Sequence, residues 1–261
     1  MSLTYTNNYS GPTPPPRDIH LTTKPEEYDI NYVFEVKELK SDKVELRPVI
    51  PSLHAQIIFD SYSKSPEVLR YLGFAPFKDL GDCLIWIENT CRRAPDQLMH
   101  AIFTQPLNTP LGTKVDSKNY VFAGLIGMIA ANYQAMIAEP GYIMILPEFH
   151  RTHVQTHATG LLMHRILDHP SKGGLGLRRC QWITTTLNKP SQNAALRLGY
   201  KFEGILRCMR VLPPGKEGAR DGRQDVRQAD SKVRDDWYAS VTWYEWEESV
   251  REHVDKLMNR Q

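Results

Sequence analysis

The sequence predicts an α/β fold, a mixed twisted sheet of about seven strands with helices on both sides. Two segments carry this prediction, because residues 141–168 and 187–207 each contain an apolar strand, a polar turn and a helix. A third observation is the alternation of residues 236–246, which is typical of a strand. Side by side, the first two units would place a helix N-terminus at the ends of parallel strands. Unpaired N–H groups there favour negative charge, which predicts a site for an anionic, nucleotide-like cofactor.

The N-terminal half begins with a polar segment and continues into strands and helices. Residues 1–30 are rich in Pro, Thr and Asn and predict an extended arm without its own core, followed by a single domain over 31–261. Strands are predicted over 32–39 and 44–49, around the turn 40–43. Ser52 is the predicted N-cap of a helix that runs to about residue 71, with a break at Ser65 and Pro66. A second helix is predicted over 79–93.

The C-terminal half predicts alternating strands and helices. Strands are predicted over 100–105, 120–128, 141–146, 179–185, 201–212 and 236–246, and helices over 156–167, 191–198 and from 247 onwards. Residues 106–119 predict a hairpin loop. Residues 213–236 are charged and small, with no apolar face, and predict a solvated connection; a substrate-gating loop is the alternative.

Composition limits the class of protein. Hydrophobic residues make up 41% of the chain and charged residues 24%, which suits a globular domain with a sizeable core. The formal net charge is +2, and Lys and Arg are spread along the chain, so no nucleic-acid partner is predicted. The four cysteines form no CxxC pair, and no apolar run is long enough to span a bilayer. These features predict a reduced, cytoplasmic protein without a membrane partner, as a monomer or homodimer.

Two series of residues resemble the motifs of a known family. The first is Ala138-Glu139-Pro140-Gly141-Tyr142, and the second, after a turn, is Asn188, Ser191, Ala194, Gly199, Tyr200, Glu203 and Gly204. Together they resemble the GNAT N-acetyltransferase superfamily, in particular the RimJ/RimL-like branch of ribosomal-protein alanine acetyltransferases. The resemblance covers residues 44–246 and is specific over 139–207. It implies a GNAT-like sheet, splayed where acyl-CoA binds, and transfer of an acetyl group from acetyl-CoA to an amine by direct attack.

The family's pyrophosphate turn corresponds to residues 147–156. His150 stands at a position that is Gln or Arg in the family, whereas His153 and Gln155 stand at two positions that are small. Either the backbone keeps its path and Arg151, Thr152 and His153 add side-chain donors, or the pocket is narrowed and the cofactor is bound weakly or lost. The implied cofactor-binding residues are Met144, Ile145, Leu146, His150, Arg151, Thr152, His153, Val154, Gln155, Thr156, Asn188 and Arg197.

The same resemblance implies three catalytic candidates. Ser191 corresponds to the hydroxyl that faces the leaving thiolate and is the candidate acid, although it also suits a helix N-cap. Glu139 is the candidate base, or a structural acceptor for a neighbouring backbone or Arg. Tyr142 lies on the same strand as Glu139 and either contributes to catalysis or only packs. A substrate wall that includes Phe74, Trp86 or Trp237 is a further possibility without support from spacing.

Other functions stay open from the sequence. His153 and His157 are four residues apart and, with His150, suggest a metal site, but no acidic or Cys partner follows at ligand spacing, so no metal is predicted. The acceptor is a small-molecule amine or a peptide N-terminus, with the small molecule favoured. The alternatives are a GNAT-like acyl-CoA-binding module with weak or no catalysis, and an enzyme that uses a longer acyl group or an oxygen acceptor.

Overall fold

One nine-stranded sheet runs through the computed structural model, which describes residues 4–110, 113, 115–223 and 230–260. The strands follow the order β1-β2-β3-β4-β5-β6-β9-β7, and β8 pairs with β9. They are β1 (Leu39–Lys40), β2 (Val44–Pro48), β3 (Leu98–Thr104), β4 (Val121–Asn132), β5 (Ile137–Ile145), β6 (Arg179–Thr185), β7 (Lys201–Val211), β8 (Arg220–Asp221) and β9 (Lys232–Thr242). Only β5 and β6 pair in parallel among these strands, so the sheet is mixed, as predicted.

Helices flank this sheet. They are α1 (Pro51–Lys64), α2 (Leu80–Ile87), α3 (Val154–Leu167), α4 (Lys189–Arg197), α5 (Trp243–Glu245) and α6 (Arg251–Met258). Helix α3 packs across β2, β4, β5 and β6 and against α6, while α1 packs against α2. Trp182 on β6 and Trp246 after α5 are among the largest fully buried side chains. None of the helices in the described residues combines the length and apolar character needed to cross a membrane.

Local capping explains where several helices begin. Asp79 caps α2 by accepting the Asp82 N–H at 3.0 Å. The predicted cap Ser52 is wrong: α1 begins at Pro51, and His54 Nδ1 accepts the Ile50 N–H at 3.0 Å. The predicted break after α1 is confirmed, because Pro66 cannot donate a helical hydrogen bond and starts a separate 3-10 turn, Pro66–Leu69.

The predicted strand over 32–39 is wrong except at its last residue. Only Leu39 and Lys40 pair with β2, and the preceding segment bonds to the loop after α2 instead. The Val33 N–H donates to Pro95 O at 2.9 Å, and Asn31 Nδ2 donates to Arg92 O at 2.6 Å. The segment with the alternating sequence therefore bonds to a neighbouring loop and not to another strand.

The segment 213–236 is more ordered than predicted. Strand β9 already begins at Lys232, since Asp236 pairs with Thr185 of β6 and Val233 pairs with Val211 of β7. Before it, β8 pairs with β9, and residues 224–229 lie outside the described part of the chain. Within the predicted hairpin loop 106–119, residues 111, 112 and 114 likewise lie outside it.

At the other end, β9 stops at Thr242 rather than at residue 246. Thr242 and Glu245 form a capping box, which starts α5 at Trp243.

Contacts of Lys216 and Glu217, here called the clasp, join the segment 213–236 to the residues after α1. Lys216 Nζ donates to Leu69 O at 2.6 Å, and Arg70 forms a two-pronged ion pair with Glu217, with Nη2 and Oε1 2.8 Å apart. The clasp holds the Pro66–Leu69 turn and Tyr71 against the tip of the β7–β9 pair, where Arg234 Nη1 approaches Tyr71 O at 3.5 Å.

Candidate active site

The sheet opens between its two parallel strands. Strands β5 and β6 pair only at Ile137 with Arg179 and at Ala138 with Cys180, after which β5 stays with β4 and β6 stays with β9. The Glu139 side chain fills the opening of this fork. Its carboxyl oxygens accept the Ile183 N–H at 3.3 Å and Gln181 Nε2 at 3.3 Å, both from β6.

A β-bulge on the opposite edge of β5 shapes the same region. Gly127 pairs with Gly141 and Leu125 with Met144, so β5 has one more residue than β4 between these two pairs. Tyr142 lies in the bulge with a φ of 46°, a left-handed conformation that costs a non-glycine residue about 1–3 kcal/mol. Gly124, on β4, has a φ of 137°, and a Cβ there would lie 2.1 Å from Met144 O. The close approach of the two strands therefore requires glycine at position 124.

A cleft of about 710 Å³ runs along this fork. Its lining residues fall into two groups on either side of Glu139 and Tyr142. The α4 group comes from the turn before α3 and from the start of α4, and comprises His150, Gln155, Asn188, Pro190 and Ser191. The arginine group comes from the segment after α1, from α2 and from the β7–β9 tip, and includes Glu67, Tyr71, Phe74, Trp86, Arg210 and Arg234.

The turn before α3 presents unpaired backbone donors. Its Val154 N–H is accepted by Thr152 Oγ1 at 3.3 Å. Within the described residues, the other N–H groups of the turn have no hydrogen-bond partner: Arg151, Thr152, His153, Gln155 and Thr156. Arg151 has a φ of 61°, so the chain curls around this point. Unpaired N–H groups at the start of a fourteen-residue helix form a cradle for an anionic group.

The Thr152 and His153 side chains neither add donors to this cradle nor narrow it, because both bond to other parts of the protein. His153 Nε2 lies 3.0 Å from Thr104 Oγ1, and Thr152 Oγ1 donates to Phe149 O at 2.7 Å. His150 Nε2 lies 3.0 Å from Ile145 O. The structure therefore gives the Thr152 and His153 side chains partners within the protein instead of aiming them at a ligand. Of the two substituted small positions, only Gln155 lines the cleft.

The histidines do not form a metal site in the described residues. His157 Nδ1 lies 2.9 Å from Ser41 Oγ, and burial lowers the pKa of His157 to about 4, so the ring is neutral at pH 7. The described part of the chain contains no group of three or more His, Cys, Asp or Glu residues that could hold a metal ion.

Helix α4 places Ser191 with its hydroxyl proton available. Asn188 is the N-cap, because its Oδ1 accepts the Ser191 N–H at 3.2 Å; the alternative of Ser191 as the cap is wrong. Ser191 Oγ accepts Trp182 Nε1 at 3.0 Å. Since an indole N–H can only donate, Ser191 keeps its own proton to donate into the cleft.

The end of α4 lies beside the start of α3. Arg197 Nη1 donates to Thr156 Oγ1 at 3.1 Å, which brings a positive charge to the cradle of unpaired N–H groups. Arg197 and Thr156 thus reach the predicted region from two helices, although neither lines the cleft itself.

The predicted strand residues divide between the two faces of β5. Ile145 lines the cleft, whereas Met144 and Leu146 do not. Tyr62 Oη donates to Met144 O at 2.7 Å, and the Leu146 N–H donates to Ala123 O at 2.9 Å. Both side chains are buried in the core.

Burial changes the acidity of Glu139. The residue is 4% exposed, and desolvation raises the pKa of its carboxyl to about 8, against the opposing effects of the Ile183 N–H, Arg210, Gln181 and Arg234. A carboxyl with this pKa is mostly protonated at pH 7 and ionises just above it. That is the range in which a general base works well near neutral pH.

Arg210 and Arg234 were not predicted as site residues. Arg234 was missed because residues 213–236 carry no apolar pattern, although Arg234, Asp236 and Tyr238 extend the alternation of β9 upstream by one more step. Arg210 lies in the predicted strand 201–212, where no motif marks a single Arg as functional. Phe74 and Trp86, two of the possible wall residues, do line the cleft, whereas Trp237 stacks on Phe202 at 5.4 Å between ring centroids.

The comparison with family models identifies this architecture. Residues 43–201 match the model of the acetyltransferase (GNAT) domain. The chain belongs to the GNAT family. Its membership confirms the predicted enzyme class, an N-acetyltransferase that uses acetyl-CoA as its co-substrate.

Solved structures support the same fold. A GCN5-related N-acetyltransferase from Brucella melitensis is 23% identical, with 86% of each chain covered and a TM-score of 0.66. RimL, a ribosomal L7/L12 alpha-N-protein acetyltransferase solved with CoA, is 15% identical, with 80% of this chain and 99% of RimL covered and a TM-score of 0.58.

The microcin C7 self-immunity acetyltransferase MccE, solved with acetyl-CoA and AMP, is 17% identical, with 77% and 93% covered and a TM-score of 0.54. At these identities the likeness extends to the fold, and the GNAT-like α/β sheet is confirmed. No curated protein sequence matched the chain significantly.

Proposed function

We propose that this GNAT enzyme transfers the acetyl group of acetyl-CoA to a primary amine of a small molecule by direct attack. The observation that carries the proposal is the meeting of three features in one cleft: the open fork between β5 and β6, the cradle of N–H groups before α3, and the Ser191 hydroxyl. The prediction of transfer without a covalent enzyme intermediate remains part of this proposal.

The residues of the cleft fit the co-substrate. The unpaired N–H groups at the start of α3, with Arg197 beside them, suit the pyrophosphate. The cleft-facing side of β5, at Ile143 and Ile145, suits the pantetheine arm, because β6 does not pair there. Asn188 Nδ2 has no partner within the described residues and is available to an amide of that arm. Among the predicted residues, Thr152 and His153 would then contribute their backbone N–H groups and not their side chains, whereas the Val154 N–H is already bonded to Thr152 Oγ1.

The chemistry assigns a role to two side chains. Bound acetyl-CoA supplies an acetyl thioester, so a C–N bond forms and the C–S bond breaks. Glu139, once ionised, takes the proton that the attacking amine loses, directly or through a water molecule. Ser191 donates a hydrogen bond, and then a proton, to the leaving sulfur; it recovers a proton from solvent as Glu139 releases the one it took, so the products are the amide and the CoA thiol. Tyr142 lies against Trp86, with ring centroids 5.8 Å apart, and is proposed as part of the acceptor wall rather than as an acid or base.

The shape of the cleft supports a small acceptor. The clasp of Lys216 and Glu217 on Leu69 and Arg70 holds the segment after α1, whose Tyr71 and Phe74 line the cleft, against the β7–β9 tip. A protein N-terminus remains the alternative acceptor, and a family member without turnover remains the alternative function.

The first test is the thermal stability of the protein with and without acetyl-CoA, followed by CoA release in the presence of primary amines. A ligand at about a hundred times its Kd stabilises the folded state by about 2.7 kcal/mol, which gives a clear rise in Tm. A rise in Tm together with amine-dependent CoA release supports the proposal. No rise at millimolar acetyl-CoA would contradict cofactor binding, and a rise without turnover of any amine would favour the binding module.

A further inference from the structure

The arginine group contains a feature that acetyl transfer itself does not require. Arg210 of β7 and Arg234 of β9 are directly paired across the two strands, and both line the cleft. The Arg234 side chain is 10% exposed and the Arg210 side chain 54% exposed. Burial of a guanidinium inside a cleft is unfavourable unless its charge is compensated.

Asp236 compensates one of the two charges. Its side chain is fully buried; Oδ2 accepts Arg210 Nε at 3.2 Å, and Oδ1 accepts Arg234 Nε. Both arginines therefore bind Asp236 through Nε. Apart from the 3.5 Å approach of Arg234 Nη1 to Tyr71 O, their Nη atoms have no partner in the described part of the chain. Two guanidinium ends that carry unused donors thus line the same cavity.

The nearby charges leave this corner positive. Lys216, which donates to Leu69 O in the clasp, is itself positive, and Glu139 is mostly protonated at pH 7, so neither cancels the charge of the second arginine. Glu67 also lines the cleft, but it is exposed, where solvent and salt screen its charge. Arginine forks bind carboxylate and phosphate groups through paired, charge-assisted hydrogen bonds.

We propose that the acceptor carries an anionic group, a carboxylate or a phosphate, which binds to the Nη atoms of Arg210 and Arg234. This proposal rests on the proposed function and names the substrate class of the same cleft. Rings of Phe74, Trp86 and Tyr142 stand beside the arginines, with the Phe74 and Trp86 centroids 5.2 Å apart and those of Trp86 and Tyr142 5.8 Å apart. The acceptor is therefore an amine that joins an apolar or aromatic body to an anionic group.

The test uses matched probes that differ only in charge. Binding of 3-phenylpropanoate and of 3-phenylpropanamide to the acetyl-CoA-loaded protein is measured by calorimetry at pH 7, with phenyl phosphate in a third series. We expect each anion to bind at least about tenfold more tightly than the amide, which corresponds to about 1.4 kcal/mol. Tighter binding of phenyl phosphate than of 3-phenylpropanoate would identify phosphate as the anionic group, and the reverse would identify carboxylate.

Variants locate the effect at the arginines. Arg210→Gln, at the more exposed of the two, should remove the preference for the anions while the affinity for the amide stays unchanged. Arg207→Gln is the matched control, since it removes the same charge from the same strand, where Arg207 is exposed and does not line the cleft. Acetyl-CoA binding is measured on each variant, so a loss of the co-substrate is seen separately.

The outcomes separate this inference from the proposed function. Equal affinity for anion and amide, no binding of either anion, or a preference that survives Arg210→Gln would overturn the anionic acceptor. Each of these results leaves acetyl-CoA binding and amine-dependent CoA release standing on their own measurements. A loss of the preference in Arg207→Gln as well would show a general electrostatic effect and would also overturn the assignment to Arg210 and Arg234.

Discussion

The turn before α3 and the fork between β5 and β6 present ligand-binding groups in two different ways. In the turn, the donors that face outward are backbone N–H groups, and the His153 and Thr152 side chains bond to Thr104 and to Phe149 O. In the fork, the groups that face the cleft are side chains, namely Glu139, Ser191, Arg210 and Arg234. A site made of backbone depends on the path of the chain, whereas a site made of side chains depends on residue identity.

This difference explains why the two family-small positions accept large residues here. The His153 side chain bonds to Thr104 and does not line the cleft, so its size leaves the cradle of N–H groups open. Gln155 does line the cleft, so it is the substitution that we expect to affect cofactor binding. The comparison makes three predictions. Stability should depend on glycine where two strands approach closely, and the reaction rate should depend on the side chains of the fork. The affinity for acetyl-CoA should depend on a side chain of the turn only where that side chain enters the cleft.

Gly124→Ala tests the backbone part of the comparison and has the largest expected effect. The added Cβ would lie 2.1 Å from Met144 O in a residue with a φ of 137°, so β4 and β5 must move apart. We expect the free energy of unfolding to fall by about 2–4 kcal/mol, measured by urea denaturation. Gly204→Ala on β7 is the control, because its Cβ has nothing within 4 Å. Equal losses in the two variants would mean that the close approach of β4 and β5 at Gly124 tolerates a side chain.

Glu139→Gln tests the fork. If Glu139 is the base, kcat/KM should fall about a hundredfold at pH 8. For the wild type, kcat/KM should rise as pH increases towards 8, the pKa at which Glu139 ionises, and the variant should keep only the rise due to the amine. The same amine is used for both proteins. Superimposable pH profiles would leave Glu139 as a structural acceptor for the Ile183 N–H.

Stability gives an independent reading of the same variant. The folded pKa of Glu139 lies above its ordinary value of 4.5, so its favourable contribution is fully present below pH 4.5 and is lost as pH rises towards 8. Glutamine does not titrate. The unfolding free energy of Glu139→Gln should therefore improve relative to the wild type over this pH range, and a constant difference would argue against the raised pKa.

Ser191→Ala tests the donor on α4. We expect kcat to fall about 10- to 100-fold, with the Kd for acetyl-CoA changed by less than about twofold. The variant also leaves Trp182 Nε1 without its acceptor, which lowers stability by about 1–3 kcal/mol, so rates are measured well below its Tm. Ser191→Thr keeps the hydroxyl and should restore most of the rate. An unchanged kcat in Ser191→Ala would assign Ser191 only to the indole.

Gln155→Glu and His153→Gln compare the two substituted positions directly and have the smallest expected effect. Gln155→Glu places a negative charge in the cleft beside the proposed pyrophosphate cradle and should weaken acetyl-CoA binding about tenfold. His153→Gln keeps a polar group near Thr104 and should change the Kd by less than about twofold. Asn108→Asp, on an exposed turn, controls for the added charge. The opposite ranking, with His153 the more sensitive position, would reverse our comparison of the two side chains.

Much of the fold was predictable because periodicity reports burial. The strand over 179–185 was predicted with its observed bounds, since Cys180, Trp182 and Thr184 alternate inward. The strand over 32–39 was not predictable in the same way, because its backbone partners are loop carbonyls that no local pattern reveals. The motif residues Glu139, Asn188 and Ser191 line the cleft, and their roles in it are part of the proposed function.

The rest of the site depends on contacts between distant parts of the chain. Arg234 is separated from Tyr71 by 163 residues, and nothing local in either segment indicates that they meet. The orientation of His153 is of the same kind, since it depends on Thr104 at the end of β3. The family motif predicted where the turn before α3 lies. The orientations of its side chains could not be predicted, because they depend on residues that are distant in the sequence.

The clasp has a consequence for the order in which the molecule assembles. It joins Leu69 and Arg70 to residues 147 positions later in the chain, so its closure must follow the docking of the whole β7–β9 pair. The contacts that hold it are one backbone acceptor and an exposed ion pair, which are weak restraints. We therefore expect the Pro66–Leu69 turn and Tyr71 to dock last during folding and to open first in hydrogen exchange, while the β4–β5 half, where we propose that acetyl-CoA binds, stays protected.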